Sequence, residues 1–355
     1  MKLIRTLVHN TSFTLISQLM VRASNTLLFV IVSRLLGARA AGIYTLALSY
    51  TMLATRLSFW GLDQILIRET AKNSSEIRKF FVNFLIIRGG IAVLAWLLLC
   101  AVVSLLLPYD AYTKSIIMIV GVIIVPENIV NLCEAVFISQ DHIQLTLYGR
   151  VVSMIVRLVG GGGALFLEQR VDILAWFLVG SSFLALAVDL WLVLKKFIEK
   201  GPWMFDWRFA QFQLRAAGPL TVSGMFYVLD NRLDVLMISF FLDEAEVGIY
   251  NAAATIVSTI LIIPQAYQVA VLPAMSRLYS DAGKGLKNLY VYSVKYLLVF
   301  AMPMSIIITY WGKDLVSLFG QGFLASLPVL QVLTWMLPLL FLNVPTARLL
   351  VSTRN

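Results

Sequence analysis

The sequence predicts an all-α polytopic membrane protein made of two lobes in a parallel pseudo-repeat. Of the 355 residues, 60% are hydrophobic and 13% are charged, whereas a soluble domain carries about 25% charged residues. Apolar runs of about 20 residues recur along the chain, which is the length that a helix needs to cross a bilayer. One stretch, residues 17–44, also returns 206 positions later as residues 223–250.

The repeated stretch has the pattern of a long apolar helix, a short turn and the start of a second helix. Without any gap, 8 of its 28 positions are identical, including a Gly-Ile-Tyr triplet at 42–44 and 248–250. Asn25 aligns with Asn231, and each copy carries an arginine near mid-helix, Arg22 and Arg232. The alternative is chance similarity between two apolar helices. Internal repeats of this kind are typical of transporters.

Ten spans are predicted in order, separated by short polar turns or turns marked by Gly and Pro. They lie at about residues 12–34, 41–62, 83–107, 115–139, 149–168, 172–194, 215–241, 246–271, 290–311 and 324–347. The loops between them are short and leave no room for a soluble catalytic domain. The repeat offset covers six helices, an even number, so both copies run through the membrane in the same direction.

The repeat divides the chain into an N-terminal six-helix lobe at 1–200, an interfacial linker at 201–214 and a C-terminal lobe at 215–355. The linker contains Gly201-Pro202 and then several aromatic residues, which suits the headgroup region. The second lobe holds four predicted helices. Two more would match the first lobe, so we expect a chain truncated at its C-terminus, the alternative being a natural ten-span form.

Basic residues set the expected orientation. With the N-terminus in the cytoplasm, the inner segments hold 17 Lys and Arg and the outer turns hold 5, as the positive-inside rule requires. The same rule explains the net charge of +9 without a nucleic-acid partner. Cys100 and Cys133 lie in apolar spans with no histidine near them, so neither a disulfide framework nor a metal site is expected. No cofactor is expected.

Six basic residues fall inside the predicted spans. Arg88 and Lys295 are near the inner ends of their helices, where we expect them to extend toward the headgroups. Four others lie deeper, where a charge costs about 2.5–3.5 kcal/mol on insertion scales. These are Arg22, Arg56, Arg157 and Arg232. Such residues face the interior of the bundle or a water-filled cavity.

Carboxylates accompany these arginines. Glu127 and Glu134 share one face of span 4 with Asn131, next to Pro126, which should loosen the helix. Asp230 and Asp234 flank Arg232 on span 7. One interpretation is that arginines and carboxylates simply pair across helices. The other is a hydrated, cationic cavity in which guanidinium groups hold a diphosphate, with Glu127, Glu134, Asp230 and Asp234 as candidate sites for a coupling ion.

The four-glycine run at 160–163 follows Arg157. It is not a phosphate-binding loop, because no Gly-Lys-Ser/Thr follows and the run lies in a predicted span. Close helix packing or a flexible joint is the expected role.

Short motifs complete the pattern. Span 1 ends Ser33-Arg34-Leu35-Leu36-Gly37, Ala41-Gly42-Ile43-Tyr44 follows, then Gly61-Leu62-Asp63 and a basic inner loop that begins Arg68-Glu69. This resembles the Wzx-type polysaccharide flippases of the multidrug/oligosaccharidyl-lipid/polysaccharide (MOP) exporter superfamily. The resemblance covers the chain through its topology, charge pattern and six-helix repeat.

The resemblance implies a MATE-like bundle of two six-helix lobes around a central cavity. It implies a multi-pass protein of the bacterial inner membrane that moves an undecaprenyl-diphosphate-linked oligosaccharide to the outer leaflet for surface polysaccharide such as O-antigen of lipopolysaccharide. By position, Arg22, Arg56, Arg157 and Arg232 would engage the anionic head, with Asn25 and Asn231 adding polarity. The implied partners are this lipid-linked sugar, the bilayer, a coupling H⁺ or Na⁺, and polysaccharide polymerase and assembly proteins.

Three other functions stay open. A cation-coupled drug exporter of the same superfamily would favour an acidic cavity rather than one with four arginines. A polytopic sugar-chain polymerase or glycosyltransferase would need catalytic groups in sizeable outer loops. A non-functional remnant of a flippase is the third.

Overall fold

The computed structural model describes residues 2–59, 61–198, 204–267 and 284–352, and leaves out the side chains of 2–18, 219–231, 284–288, 344 and 347–352. Every regular element in these described ranges is a helix. The chain divides into two compact units, Met1–Gly248 and Ile249–Asn355.

Helix α1 (Lys2–Ser58) consists of two helical halves joined at Gly37. Gly37 has φ 80° and ψ −176°. In this conformation a Cβ would clash with the adjacent backbone, so the conformation is almost confined to glycine. At 1.5 Å per residue the 40 residues from Leu19 to Ser58 would reach about 60 Å as one straight helix, twice the hydrocarbon core. The break turns this length into the two predicted spans.

Seven further helices complete the first part of the chain. They are α2 (Leu62–Lys72), α3 (Ile77–Leu105), α4 (Ala111–Gly121), α5 (Ile124–Ser139), α6 (Thr146–Ile155), α7 (Gly162–Glu168) and α8 (Val171–Lys196). Asp110 caps the start of α4 by accepting a hydrogen bond from the Thr113 backbone N–H at 2.7 Å, which satisfies one of the unpaired donors of a helix start.

The later helices are α9 (Trp207–Phe241), α10 (Glu244–Ile260), α11 (Lys284–Tyr310), α12 (Gly312–Ser317), α13 (Ser326–Trp335) and α14 (Leu337–Ser352). Helix α9 begins inside the segment predicted as the linker, and the predicted lobe boundary stays a prediction. In the second unit, the Ser305 hydroxyl donates to the Thr334 carbonyl at 3.1 Å and thereby joins α11 to α13.

The helices account for all ten predicted spans. Among the described residues, seven helical segments are long and apolar enough to cross a membrane, and the bent pair α13–α14 would make eight. The first segment, Leu19–Ser58, holds predicted spans 1 and 2. Helix α9 covers predicted span 7. The all-helical, multi-pass architecture is therefore confirmed.

The helix of span 4 is interrupted near Pro126, where the sequence predicts a loosened helix. The proline ring conflicts with the carbonyl four residues earlier, at Val122, and α4 ends at Gly121 while α5 begins at Ile124. The break leaves the polar face of α5, from Glu127 onward, on its own helix.

A π-helical turn (Val156–Gly161) joins α6 to α7 within span 5. A Cβ on Gly160 would lie 2.7 Å from the Phe177 ring, and one on Gly161 would lie 2.9 Å from the Leu174 side chain. These two glycines therefore serve close packing of the π-helical turn against α8, the first of the two predicted roles. Such single π turns are frequent at functional sites, and this one carries Arg157.

The apolar core of the first unit lies between α2, α3, α5 and α8, with aromatic side chains such as Phe81, Phe84 and Phe137 fully buried. Large apolar side chains elsewhere are exposed, for example Leu98, Leu105 and Leu167. In a soluble monomer an apolar surface of this extent would be a liability, but here it is the surface that lipid covers.

The repeated hairpins contact each other at equivalent positions. A Cβ on Gly42 would lie 1.5 Å from the Glu244 carbonyl oxygen, and a Cβ on Gly248 would lie 2.1 Å from the Ala38 carbonyl oxygen. At the repeat offset of 206, Gly248 is the counterpart of Gly42 and Glu244 is the counterpart of Ala38. A contact that maps onto itself in this way requires local two-fold symmetry, as a parallel pseudo-repeat predicts.

The expected position of Arg88 is wrong. Its side chain is fully buried rather than extended to the headgroups. The guanidinium pairs with Asp63 of α2 and lies over the Phe59 ring, 4.5 Å from its centroid. Helix α1 ends at Ser58 and α2 begins at Leu62. The turn between them directs Asp63 into the bundle, and this gives Arg88 a buried partner.

Candidate functional site

Arg157 and Arg232 are both electrostatic neighbours of Tyr44. The phenol of Tyr44 is buried in the second half of α1, and both guanidinium groups lie within electrostatic range of it. Arg157 is presented by the π-helical turn, where its Nε donates to the Ser153 carbonyl at 3.3 Å. Arg232 is presented by α9, and its Nε donates to the Met52 sulfur at 3.5 Å. One residue of the Gly-Ile-Tyr triplet thus has two predicted site arginines as electrostatic neighbours.

Arg56 and Arg157 share a second electrostatic neighbour, Glu127. The electrostatic neighbours of this carboxyl include Arg157, Arg150 and Arg56. Its side chain is exposed where α5 begins. Arg56 lies over the Phe59 ring at 5.3 Å from the centroid and is exposed as well. The surroundings of Glu127 therefore carry more positive than negative charge.

The basic residues of the bundle fall into two groups. Arg88 pairs with Asp63, and Arg150 holds Glu134 with two hydrogen bonds, Nε to Oε1 at 2.7 Å and Nη2 to Oε2 at 2.6 Å. In contrast, three predicted site arginines have no carboxylate within 4 Å in the part of the chain that the structure describes. These three are Arg56, Arg157 and Arg232. The first group balances its charge within the bundle, whereas no described carboxylate balances the second.

Further predicted site residues lie on α1 and α9. Arg22 is half-buried on the first half of α1, and Asn25 is exposed one turn later. Asp234 is exposed on α9, where its Oδ1 accepts from the Val235 backbone N–H at 2.8 Å. The side chains of Asp230 and Asn231 lie outside the described residues.

Glu134 lies on α5 as predicted, and its side chain is buried. Its carboxylate is bound on both oxygens by Arg150, a bidentate arrangement that is among the stronger ion pairs. Arg150 lies on α6, seven residues before Arg157.

One buried acid was not singled out from the sequence. Asp189 of α8 is fully buried, and neither carboxyl oxygen has a hydrogen-bond partner of good geometry among the described residues. The signal was available, because Asp189 is the one charged residue between Ile173 and Leu194, and an ionisable residue inside a membrane helix is a functional candidate by default.

A polar cluster closes one end of the first unit, the predicted outer end. Arg39 pairs with Asp110 at 2.8 Å and with Glu244 at 3.7 Å, and the Thr113 hydroxyl donates to Glu244 at 3.1 Å. Hydrogen bonds from Thr113, helped by Arg39, hold the pKa of Asp110 below its usual value. The cluster ties the first repeated hairpin, the start of α4 and the start of α10 together around the Gly42–Gly248 contact.

Comparison with known families now identifies the chain. The sequence matches the model of the family described as polysaccharide biosynthesis protein over residues 7–279, well over half of its length. The chain belongs to the polysaccharide biosynthesis protein family. A second family model, MatE, matches residues 219–355 of this family member. Comparison with curated proteins gives no significant match.

Solved structures share the fold of this polysaccharide biosynthesis family member. Two show a multidrug resistance MATE family transporter of the MOP superfamily, inward-facing and outward-facing, each with a TM-score of 0.68 and 13% identity. The inward-facing match covers 93% of this chain and 82% of the other, and the outward-facing match covers 98% and 81%.

A third similar structure is a MOP superfamily transporter from Pyrococcus furiosus, for which reversed polarity of the binding pocket suggests a different function. Its TM-score is 0.58 at 12% identity, with 97% of this chain and 84% of that chain covered. Family and fold together confirm the MATE-like bundle and the resemblance to Wzx-type proteins. The chain is a multi-pass membrane protein of the MOP transporter superfamily.

Proposed function

We propose that this protein flips an undecaprenyl-diphosphate-linked oligosaccharide across the bacterial inner membrane by alternating access, for surface polysaccharide biosynthesis. One observation carries the proposal: Arg56, Arg157 and Arg232 lack a carboxylate within 4 Å among the described residues, whereas Arg88 and Arg150 are paired. A charged side chain inside a membrane span is costly unless it is paired, so three such arginines favour an anionic ligand.

The chemistry of a diphosphate fits the Tyr44 region. A guanidinium offers N–H donors in a planar fork that matches phosphate oxygens, and such charge-assisted hydrogen bonds are strong. Arg157 and Arg232 approach the same phenol from the π-helical turn and from α9. They would therefore hold the two phosphoryl groups from two sides, while the polyprenyl chain stays in lipid.

Alternating access supplies the route. With the N-terminus in the cytoplasm, the Gly42–Gly248 contact lies at the outer end, together with the polar cluster around Arg39. In the transport cycle this end would open after the diphosphate head has entered from the inner leaflet. Polysaccharide polymerase and assembly proteins would then receive the lipid-linked sugar at the outer leaflet, and H⁺ or Na⁺ would drive the return.

A cation-coupled drug exporter is the second candidate, because the solved structures with this fold include multidrug transporters. The arginines disfavour it, since a cationic drug would be repelled by Arg157 and Arg232. Deletion of the gene with unchanged drug sensitivity would count further against this candidate. A sugar-chain polymerase or glycosyltransferase is disfavoured by the short described loops, such as the residues between α3 and α4.

Complementation of a deletion strain tests the proposal. We expect Arg157→Ala and Arg232→Ala to abolish surface polysaccharide at unchanged protein level, since each removes a phosphate ligand. Arg208→Ala is the matched control, because Arg208 is an exposed arginine at the start of α9 and should leave the polysaccharide normal. Full complementation by both site variants would rule out the cationic-cavity mechanism.

A further inference from the structure

Asp189 on α8 has a carboxyl group that the proposed substrate site does not use. This group has no ion-pair partner in the described residues, unlike Asp172, the other acid of α8. The Asp189 side chain has no exposed surface, and both oxygens lack a hydrogen-bond partner of good geometry. An isolated carboxylate in such a place is expensive, whereas the protonated carboxylic acid is tolerated. The geometry therefore favours a bound proton.

The backbone of α6 makes room for this carboxyl. A Cβ on Gly149 would lie 2.5 Å from Oδ1 and 2.6 Å from Oδ2 of Asp189. The Gly149 N–H approaches the carboxyl electrostatically without reaching hydrogen-bond geometry. Any other residue at position 149 would push α6 away from α8, so the glycine keeps the acid pressed against the neighbouring helix.

The charged and titratable groups around Asp189 come from two helices. Helix α5 contributes Glu127, Cys133 and Glu134, and α6 contributes Arg150. The π-helical turn meets α8 at Leu174 and Phe177, about three helical turns away from Asp189. Arg150 is thus the cation near Asp189, and in this state it is held on both carboxylate oxygens of Glu134.

We propose that Asp189 binds and releases the proton that couples transport, with Arg150 exchanging between Glu134 and Asp189. The inference rests on the proposed function for its role in transport, but the proton site itself does not. When Asp189 releases its proton to water, a second carboxylate competes for Arg150. Pairing then shifts from α5–α6 to α6–α8, and the return of one proton to Asp189 restores the Arg150–Glu134 pair.

Infrared spectroscopy of the full-length protein in lipid nanodiscs tests the bound proton. A protonated carboxyl group has a carbonyl-stretch band that carboxylates and amides lack and that shifts in ²H₂O. At neutral pH we expect this band in the native protein and a loss of intensity in Asp189→Asn. Asp172→Asn is the control on the same helix, since Asp172 is paired with Arg170 at 2.6 Å. An unchanged band in Asp189→Asn would overturn the proposal.

The exchange of Arg150 has its own test. Glu134→Gln removes the carboxylate that holds Arg150 and leaves Asp189 intact. We expect the Asp189 band to disappear, because Arg150 turns to Asp189 and stabilises its ionised form. A band of native intensity in Glu134→Gln would contradict the exchange.

Fold and substrate are controlled separately. Asn is the neutral isostere of the protonated acid, so Asp189→Asn should unfold at the native temperature or above. No lipid-linked sugar is needed for either spectrum, so the infrared results do not depend on the outcome of the flipping assay. Loss of flipping in Asp189→Asn, with native abundance, would then connect the proton site to transport, and native flipping by that variant would overturn its coupling role.

Discussion

Gly42 and Gly248 face each other with no room for a side chain on either. The Cβ that alanine would add to Gly42 falls 1.5 Å from the Glu244 carbonyl oxygen, and that of Gly248 falls 2.1 Å from the Ala38 carbonyl oxygen. Each glycine thus meets the backbone four residues before the other, in the same way. The Gly-Ile-Tyr triplet of the repeat is therefore a packing motif that lets the two hairpins approach backbone to backbone, much as small residues do elsewhere in membrane helices.

Alanine at either position should disrupt this contact. Because the clashing atoms belong to backbone and cannot rotate away, we expect Gly42→Ala and Gly248→Ala to lower the unfolding temperature in detergent strongly or to abolish accumulation of folded protein. Thermal unfolding followed by size-exclusion chromatography measures this.

Gly89→Ala and Gly180→Ala are matched controls, because a Cβ at either glycine would meet no atom within 4 Å. Both lie inside helices, where alanine is favoured over glycine by about 1 kcal/mol. These variants should be as stable as the native protein or more stable. If Gly42→Ala behaved like Gly89→Ala, the close approach of the two hairpins would be wrong.

A second glycine substitution should destabilise for a different reason. A Cβ at Gly37 would also meet no atom within 4 Å, but its φ of 80° with ψ of −176° is strained for any other residue by about 1–3 kcal/mol. Gly37→Ala should therefore lower stability by about that amount in chemical unfolding. Gly163→Ala is the control, because Gly163 is helical and a Cβ there would meet no atom within 4 Å. Equal stability of Gly37→Ala and Gly163→Ala would contradict the break in α1.

The buried pair of Arg88 and Asp63 gives a prediction about combined variants. Removing one partner of a buried ion pair typically costs about 3–5 kcal/mol, because the other charge stays buried, whereas replacing both with neutral groups is often tolerated. We expect Arg88→Met to be strongly destabilised and the double variant Arg88→Met, Asp63→Asn to recover most of that loss. Equal destabilisation of the single and double variants, in the same unfolding assay, would mean that the pair is not buried together.

The helical architecture could be predicted almost completely from the sequence, because its cause is local. Apolar length fixes the spans, Gly37 and Pro126 fix two breaks, and the aligned Gly-Ile-Tyr triplets at 42–44 and 248–250 fix the repeat. None of these requires knowledge of which helices are neighbours.

Partnership between charges could not be predicted, because it depends on long-range packing. Arg88 was placed at the headgroups from its position near a helix end, and only the fold shows that Asp63 turns back toward it. Arg150 and Arg157 lie seven positions apart on the same predicted span, yet one is bound by Glu134 and the other lies near Tyr44. Asp189 could have been found, since a single acid in an apolar run needs no neighbour to be noticed.

Flipping by purified protein tests the cationic site most directly. The native protein, Arg157→Gln, Arg157→Lys and the control Arg208→Gln would be reconstituted in liposomes with a fluorescent undecaprenyl-diphosphate-linked sugar, and its transfer between leaflets measured by quenching from one side. We expect flipping by the native protein and by Arg208→Gln, a loss of at least tenfold in Arg157→Gln, and partial activity in Arg157→Lys, which keeps the charge but not the fork. Native rates in Arg157→Gln would contradict the account.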